Sequence, residues 1–315
     1  MVTETLARRG LALVGFLVSR MPRSASLLVG SALGILLGVL GWRRNLIRSN
    51  LQLAFPGMSF EARDYRRRVE KGFYRHFGNL ILEIFCQFGD WKNWVLSHVE
   101  VSGVENWEAA QAKGKGVLVI TSHLGNWEAM AAGFCAGDGA PRGKRNLLIV
   151  TKHLKPEWLH QAFEFNRRKA GVEGTYEPRT MKDVLRQLSR GGSVGFVLDQ
   201  YAGAPIGVRV PFFGVPVGTL LAPAAVVRRT EAAVLPAYCF RDRHGRLKVH
   251  IGEEFDWIHS NNLNEALALN TARWVASIEE AIRSHPEQWL WSHRRFKGDL
   301  SPVQPGEWCQ TRTRM

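Results

Sequence analysis

Cysteine is scarce in this chain. There are four in 315 residues: Cys86, Cys135, Cys239 and Cys309. No two form a C-x-x-C pair, which removes zinc ribbons and thioredoxin-type redox chemistry from consideration. Cys86 and Cys135 lie in apolar segments and read as small core residues, and scattered thiols fit a reducing compartment. Acidic residues are also few. The 28 Asp+Glu against 42 Lys+Arg leave a net charge of +14 and a pI near 10.1. Such a surplus favours nucleic acid, anionic lipid or an acidic protein as partner without choosing among them. No nucleic-acid module is recognisable, which argues against the first. Internal repeats, low-complexity tracts and domain linkers are missing too. With 45% hydrophobic and 22% charged residues the chain is globular and not disordered.

One long stretch lacks charge altogether. Between Arg23 and Arg43 no residue is ionisable, and Ser24–Trp42 reads SASLLVGSALGILLGVLGW. As one helix it would be about 28 Å long, close to the roughly 30 Å of a bilayer core. An N-terminal membrane helix is therefore expected within an anchor over residues 1–45. The run begins late, and WRRNLIRSN follows it where a signal peptide would carry a small-residue cleavage site. Gly30, Gly34 and Gly38 form a GxxxGxxxG strip, which permits close helix packing and lowers hydrophobicity. A helix or hairpin lying in the interface therefore stays open as an alternative to a span. Basic residues flank both sides, so charge gives no orientation. Residues 46–300 read as a soluble-type body resting on one membrane face, followed by a tail over 301–315.

The body alternates. Phe60–Phe88 carries apolar residues at helical spacing and predicts one or two amphipathic helices. Strands are expected at Val99–Val101, Val117–Thr121, Asn146–Val150, Gly195–Leu198, Ala233–Tyr238 and Leu247–Ile251. Helices are expected at Asn106–Ala112, Trp127–Cys135, Glu157–Lys169, Met181–Arg190, Leu220–Arg229 and Asn264–Ser284. Strands separated by helices indicate an α/β sheet covered on both faces, with sites just beyond the carboxyl ends of strands. His123 and Asp199 both fall at such positions.

The segment VLVITSHLGNWEAM, Val117–Met130, runs four apolar β-formers toward a His, with Glu128 five residues after His123. That spacing does not suit the i,i+4 pair of a zinc helix. It suits a turn carrying His at a strand end and Glu in the first helical turn, with Gly125 and Asn126 supplying the turn. An imidazole held by a carboxylate can take a proton from a hydroxyl. The bland alternative is a packed or capped histidine. Asp199 ends VGFVLD; it either caps a turn or orients an acceptor hydroxyl or a basic side chain. Arg167, Arg168 and Lys169 end a helix and either complement its dipole or bind substrate. Val208–Thr219, with two prolines and two glycines around Phe212 and Phe213, reads as a loop that either lines an acyl groove or membrane contact or packs in the core. His285–Lys297, HPEQWLWSHRRFK, gathers tryptophans and basic residues that could stack on nucleotides, clamp phosphates or seat at lipid headgroups.

In this order the blocks WRRNLIRSNLQLAFPGMS, GKGVLVITSHLGNWE, GFVLDQ, VRVPFFGVPVGT and PEQWLWSHRRFK resemble the bacterial acyltransferases that add secondary acyl chains to lipid A. The likeness spans about residues 24–297. It implies a glycerolipid-acyltransferase-like mixed α/β sheet flanked by helices, with an N-terminal membrane helix at the inner membrane. It also implies an acyl thioester donor (acyl carrier protein or acyl-CoA), an anionic glycolipid acceptor, and neither metal nor other cofactor. His123 matches the motif's catalytic base and Glu128 its acidic partner. Asp199 matches the acid after the later strand, and Arg167 a basic residue before a Gly, with Arg168 as rival. The resemblance further implies that substrate or oxyanion contacts come from Arg167, Asp199 and the turn at Asn126. Mycobacterial mannoside acyltransferases are similar but tend to carry Asp in place of this Glu.

Overall fold

The computed structural model describes residues 2–136 and 145–302. The chain opens with three helices, α1 (Val2–Ser19), α2 (Arg23–Val39) and α3 (Arg44–Ala54), then the long α4 (Phe60–Cys86) and the short α5 (Trp91–His98). Strands and helices then alternate: β1 (Val99–Ser102), α6 (Val104–Ala112), β2 (Val117–Thr121), α7 (Trp127–Ala136), β3 (Leu147–Val150), α8 (Glu157–Lys169), β4 (Val172–Thr175), α9 (Thr180–Ser189) and β5 (Ser193–Val197). A hairpin of β6 (Gly207–Phe212) and β7 (Val215–Leu220) precedes α10 (Ala222–Thr230), β8 (Ala233–Arg241), β9 (Leu247–Ile251) and α11 (Leu263–Ser284). Cys309 and the tail beyond residue 302 lie outside the described residues.

Seven strands form one mixed sheet in the order β1-β9-β8-β2-β5-β3-β4. All neighbours run parallel except β8 and β9. The central strands are apolar at consecutive positions because both faces are covered. Leu118, Ile120, Val194 and Phe196 pack on one side with Trp274, Ile278 and Trp289. Val117, Leu147, Ala233 and Leu235 pack on the other with Trp107, Ala129 and Phe134. The two cores alternate residue by residue along β2, as a period of two requires.

The N-terminal region departs from the expected span. The apolar run does not form one 19-residue helix. α2 ends at Val39, and the chain bends by 95° into α3. Among the described residues no single helix is long and apolar enough to cross a membrane. The glycines explain the arrangement, since α2 lies against α4 with backbones in near contact. A Cβ at Gly34 would collide with the Tyr74 carbonyl, and one at Gly78 with the Gly30 carbonyl. The opposite faces stay bare. Leu13, Phe16 and Leu17 of α1 and Leu28, Leu36 and Val39 of α2 are exposed.

Two further expectations are corrected. Val208–Thr219 is no loop: β6 and β7 pair antiparallel with Phe212 opposite Val215, and both Phe212 and Phe213 are buried. Phe213 and Gly214 form the two-residue connection with φ of 53° and 73°, the positive pair that a type I′ turn requires. In the segment from His285 to Lys297, Trp289, Trp291 and Arg295 are also buried, so they form core and not a surface for nucleotides or headgroups. Cys86 is a core residue as expected, whereas Cys135 is partly accessible.

Candidate active site

β2 and β5 are adjacent and parallel, and their last residues, Thr121 and Val197, are register partners. Two residues beyond each strand stand His123 and Asp199. Equal offsets from paired strand ends bring them to the same level at the carboxyl edge of the sheet. His123 Nδ1 lies 2.8 Å from Asp199 Oδ1. Asp199 Oδ2 accepts from the His123 backbone N–H at 2.7 Å and from the Trp289 indole N–H at 2.7 Å. Asp199 is 2% exposed. Burial raises its carboxyl pKa, but the His123 charge and these donated bonds outweigh that and bring it down to about 2. An ionised carboxylate can only accept, so Nδ1 donates to it, and Nε2 is the ring nitrogen turned toward the site, a proton acceptor whenever the ring is neutral.

The acid hydrogen-bonded to His123 is thus Asp199, where the sequence spacing points to Glu128. Glu128 sits in the first turn of α7 and faces α8. Its two oxygens accept from Arg167 Nη2 at 2.5 Å and Arg167 Nε at 3.0 Å. Arg167 also donates Nη1 to Glu164 at 3.2 Å. Burial lowers the Arg167 pKa, and the Glu128 charge and hydrogen bond more than reverse this, so the guanidinium is held as a cation. Three of its five N–H donors are committed to carboxylates. Arg168 instead donates to the Glu164 carbonyl.

Asn126 is fully buried. Its Oδ1 accepts from the Ala129 N–H at 2.9 Å, capping α7, and its Nδ2 donates to Glu83 Oε2 at 3.0 Å. The Asn126 side chain thereby holds the turn. Gly125 has φ of 63°, and a Cβ there would collide with the Cys239 carbonyl. Gly125 N–H donates to the Gln288 carbonyl, and the His123 carbonyl accepts from Leu290 N–H. The turn is therefore fixed by the segment carrying Trp289.

Sequence reading missed four neighbours of the imidazole. Trp127 lies edge-on to it with ring centres 4.7 Å apart. His293 stands nearly parallel at 6.4 Å. Gln200 Nε2 is 3.4 Å from His123 Nε2. Trp289 completes the set through Asp199. Gln200 directly follows Asp199, Trp127 directly precedes Glu128, and Trp289 and His293 lie in the segment rich in tryptophans and basic residues. Among the described residues thiol chemistry is unsupported, because burial pushes Cys86, Cys135 and Cys239 up to about 12. Among the described residues no group of three or more His, Cys, Asp or Glu could hold a metal ion.

The arrangement can take a proton from a hydroxyl at Nε2 and return it to a leaving group. Comparison with known proteins agrees with acyl chemistry. A family model described as bacterial lipid A biosynthesis acyltransferase matches residues 9–298. The lipid A biosynthesis lauroyltransferase of Escherichia coli (strain K12) is 27% identical over 290 residues, 90% of this chain and 88% of that protein. The lipid A biosynthesis palmitoleoyltransferase of the same organism is 26% identical over 259 residues, 81% and 79% of the two chains. A phosphatidylinositol mannoside acyltransferase of Mycobacterium tuberculosis is 28% identical over 205 residues, 64% and 61%. The match over residues 9–298 means that this chain belongs to the bacterial lipid A biosynthesis acyltransferase family.

Proposed function

We propose that this enzyme moves a fatty acyl chain from an acyl thioester to a hydroxyl of a lipid A precursor by direct transfer, with His123 as general base. The observation that carries this reading is the ionised, triply hydrogen-bonded Asp199, which holds His123 by Nδ1 and turns Nε2 toward Gln200 at the sheet's carboxyl edge. The acceptor O–H gives its proton to Nε2 as the oxygen attacks the thioester carbonyl. Asp199 stabilises the imidazolium that forms. The tetrahedral oxyanion collapses, the C–S bond breaks, and the departing thiolate takes the proton back from Nε2. No acyl-enzyme forms.

Gln200 is the side-chain donor nearest the reacting nitrogen, and we assign it to the acceptor hydroxyl or the oxyanion. A donor in that role is worth about 2.7–4 kcal/mol. The Glu128–Arg167 pair joins the first turn of α7 to the last turn of α8. The donor is acyl carrier protein or acyl-CoA, and the acceptor an anionic glycolipid. The charge of +14 supports both an acidic carrier and a phosphorylated acceptor. The exposed apolar faces of α1 and α2 support insertion of the two helices into one leaflet, with the body on the cytoplasmic face of the inner membrane.

The similarity to mycobacterial mannoside acyltransferases favours one second reading, the same chemistry on a phosphatidylinositol mannoside. Radiolabelled acyl carrier protein offered with a panel of acceptors separates the two. Labelling of a lipid A precursor supports the first, and labelling of the mannoside alone replaces it by the second.

A further inference from the structure

We infer that Glu83 is a positioning residue that couples the N-terminal helix α2 to the catalytic turn. The inference rests on the reading of His123 as the base. Glu83 lies on α4 and is 1% exposed. Its Oε1 accepts from Arg23 Nη2 at 2.6 Å and Arg241 Nε at 3.1 Å. Its Oε2 accepts from Arg241 Nη2 at 2.7 Å and Asn126 Nδ2 at 3.0 Å. Four donors from three distant parts of the chain meet on one carboxylate: the first residue of α2, the last residue of β8, and the turn after His123. Burial raises the Glu83 pKa, but the Arg241 and Arg23 charges outweigh it and bring the group down to about 2, so the anion persists.

Each donor is itself clamped. Arg23 Nε donates to the Gly245 carbonyl at 2.8 Å. The Arg241 backbone exchanges both its hydrogen bonds with the Gln288 side chain, at 2.6 and 2.9 Å. The Gln288 carbonyl in turn accepts from Gly125. Two routes therefore run from Glu83 to the turn, one through Asn126 and one through Arg241, Gln288 and Gly125. Arg23 opens α2, and its hydrogen bonds go to Glu83 and the Gly245 carbonyl. Removing it leaves a buried carboxylate facing one guanidinium, and the carboxylate shifts toward Arg241 and away from Asn126. A displacement of α2 by the membrane would act along the same path.

The test uses the full chain in anionic phospholipid vesicles, with Arg23→Ala, Arg23→Gln and Arg23→Lys. The kcat per folded molecule, the donor KM and backbone amide exchange are measured. Arg23→Ala is expected to lower kcat about tenfold with donor KM unchanged, and Arg23→Lys to recover most of it. Amide exchange over residues 123–129 should quicken by a similar factor, with β3 and β4 unaffected. Should Arg23→Ala not fold, Arg23→Gln gives the same readouts. Wild-type kcat per folded molecule, with faster exchange confined to α2, would overturn the coupling. Because exchange is read without substrate, an active His123→Ala enzyme would sink the base assignment and leave this result standing.

Discussion

Asp199 accepts three hydrogen bonds and fixes the proton of His123 on Nδ1, so replacing its charge should change catalysis more than shape. Asp199→Asn is expected to lower kcat by roughly 10²–10⁴ with little effect on donor KM, measured by steady-state transfer. Trp289→Phe keeps the bulk but removes the indole donor to Asp199. Losing a hydrogen bond to a charged group should cost about 1.5–3 kcal/mol, read as a lower denaturation midpoint. His76 gives a pH signature. Burial and the neighbouring Arg241 charge lower its pKa from 6.5 to about 3, and its Nδ1 accepts from Arg241 at 2.7 Å. The unfolded chain takes up a proton below 6.5 that the folded chain refuses until about 3. Stability should therefore be lost as pH is lowered across that window, by at most about 1.4 kcal/mol per unit from this residue. Thermal melts of His76→Gln should show a shallower fall between pH 6.5 and 4.

The strand before His123 and the helix after it were readable because an apolar run meets a Gly-Asn turn. Asp199 was readable as an acid at a strand end. That it, and not Glu128, meets the imidazole depends on β2 pairing with β5, and strand order is a tertiary choice that local sequence does not encode. The β6–β7 hairpin was hidden for another reason. Its turn residues are Phe213 and Gly214, not the Asn-Gly or Asp-Gly that announce a type I′ connection, and Pro211 and Pro216 face each other within it. Trp289 and Trp291 looked like surface aromatics among basic residues, yet alternate contacts with Asp199 and Phe213 draw them inward. Packing of α2 on α4 is testable at this scale. Gly34→Val places a side chain against the Tyr74 backbone, which cannot yield as a flexible side chain would. A loss of about 1–3 kcal/mol or more is expected, seen as a lower melting temperature of the whole chain.

Taken whole, the molecule joins a basic body to two N-terminal helices, α1 and α2, whose inner faces carry glycines packed on and just beyond α4 and whose outer faces are apolar. Association with vesicles should rise with anionic lipid content and weaken with salt for the electrostatic part, while the apolar contact persists; flotation at two ionic strengths checks both. The central claim is that His123 performs direct acyl transfer at that surface. Its most direct test is transfer of radiolabelled acyl chain from acyl carrier protein to a lipid A precursor by purified, vesicle-bound wild type and His123→Ala. The expected result is a folded, membrane-bound variant with turnover reduced at least about a hundredfold and no labelled protein intermediate in either enzyme. Near-normal turnover by the variant, or a covalent acyl-protein that chases into product, would contradict it.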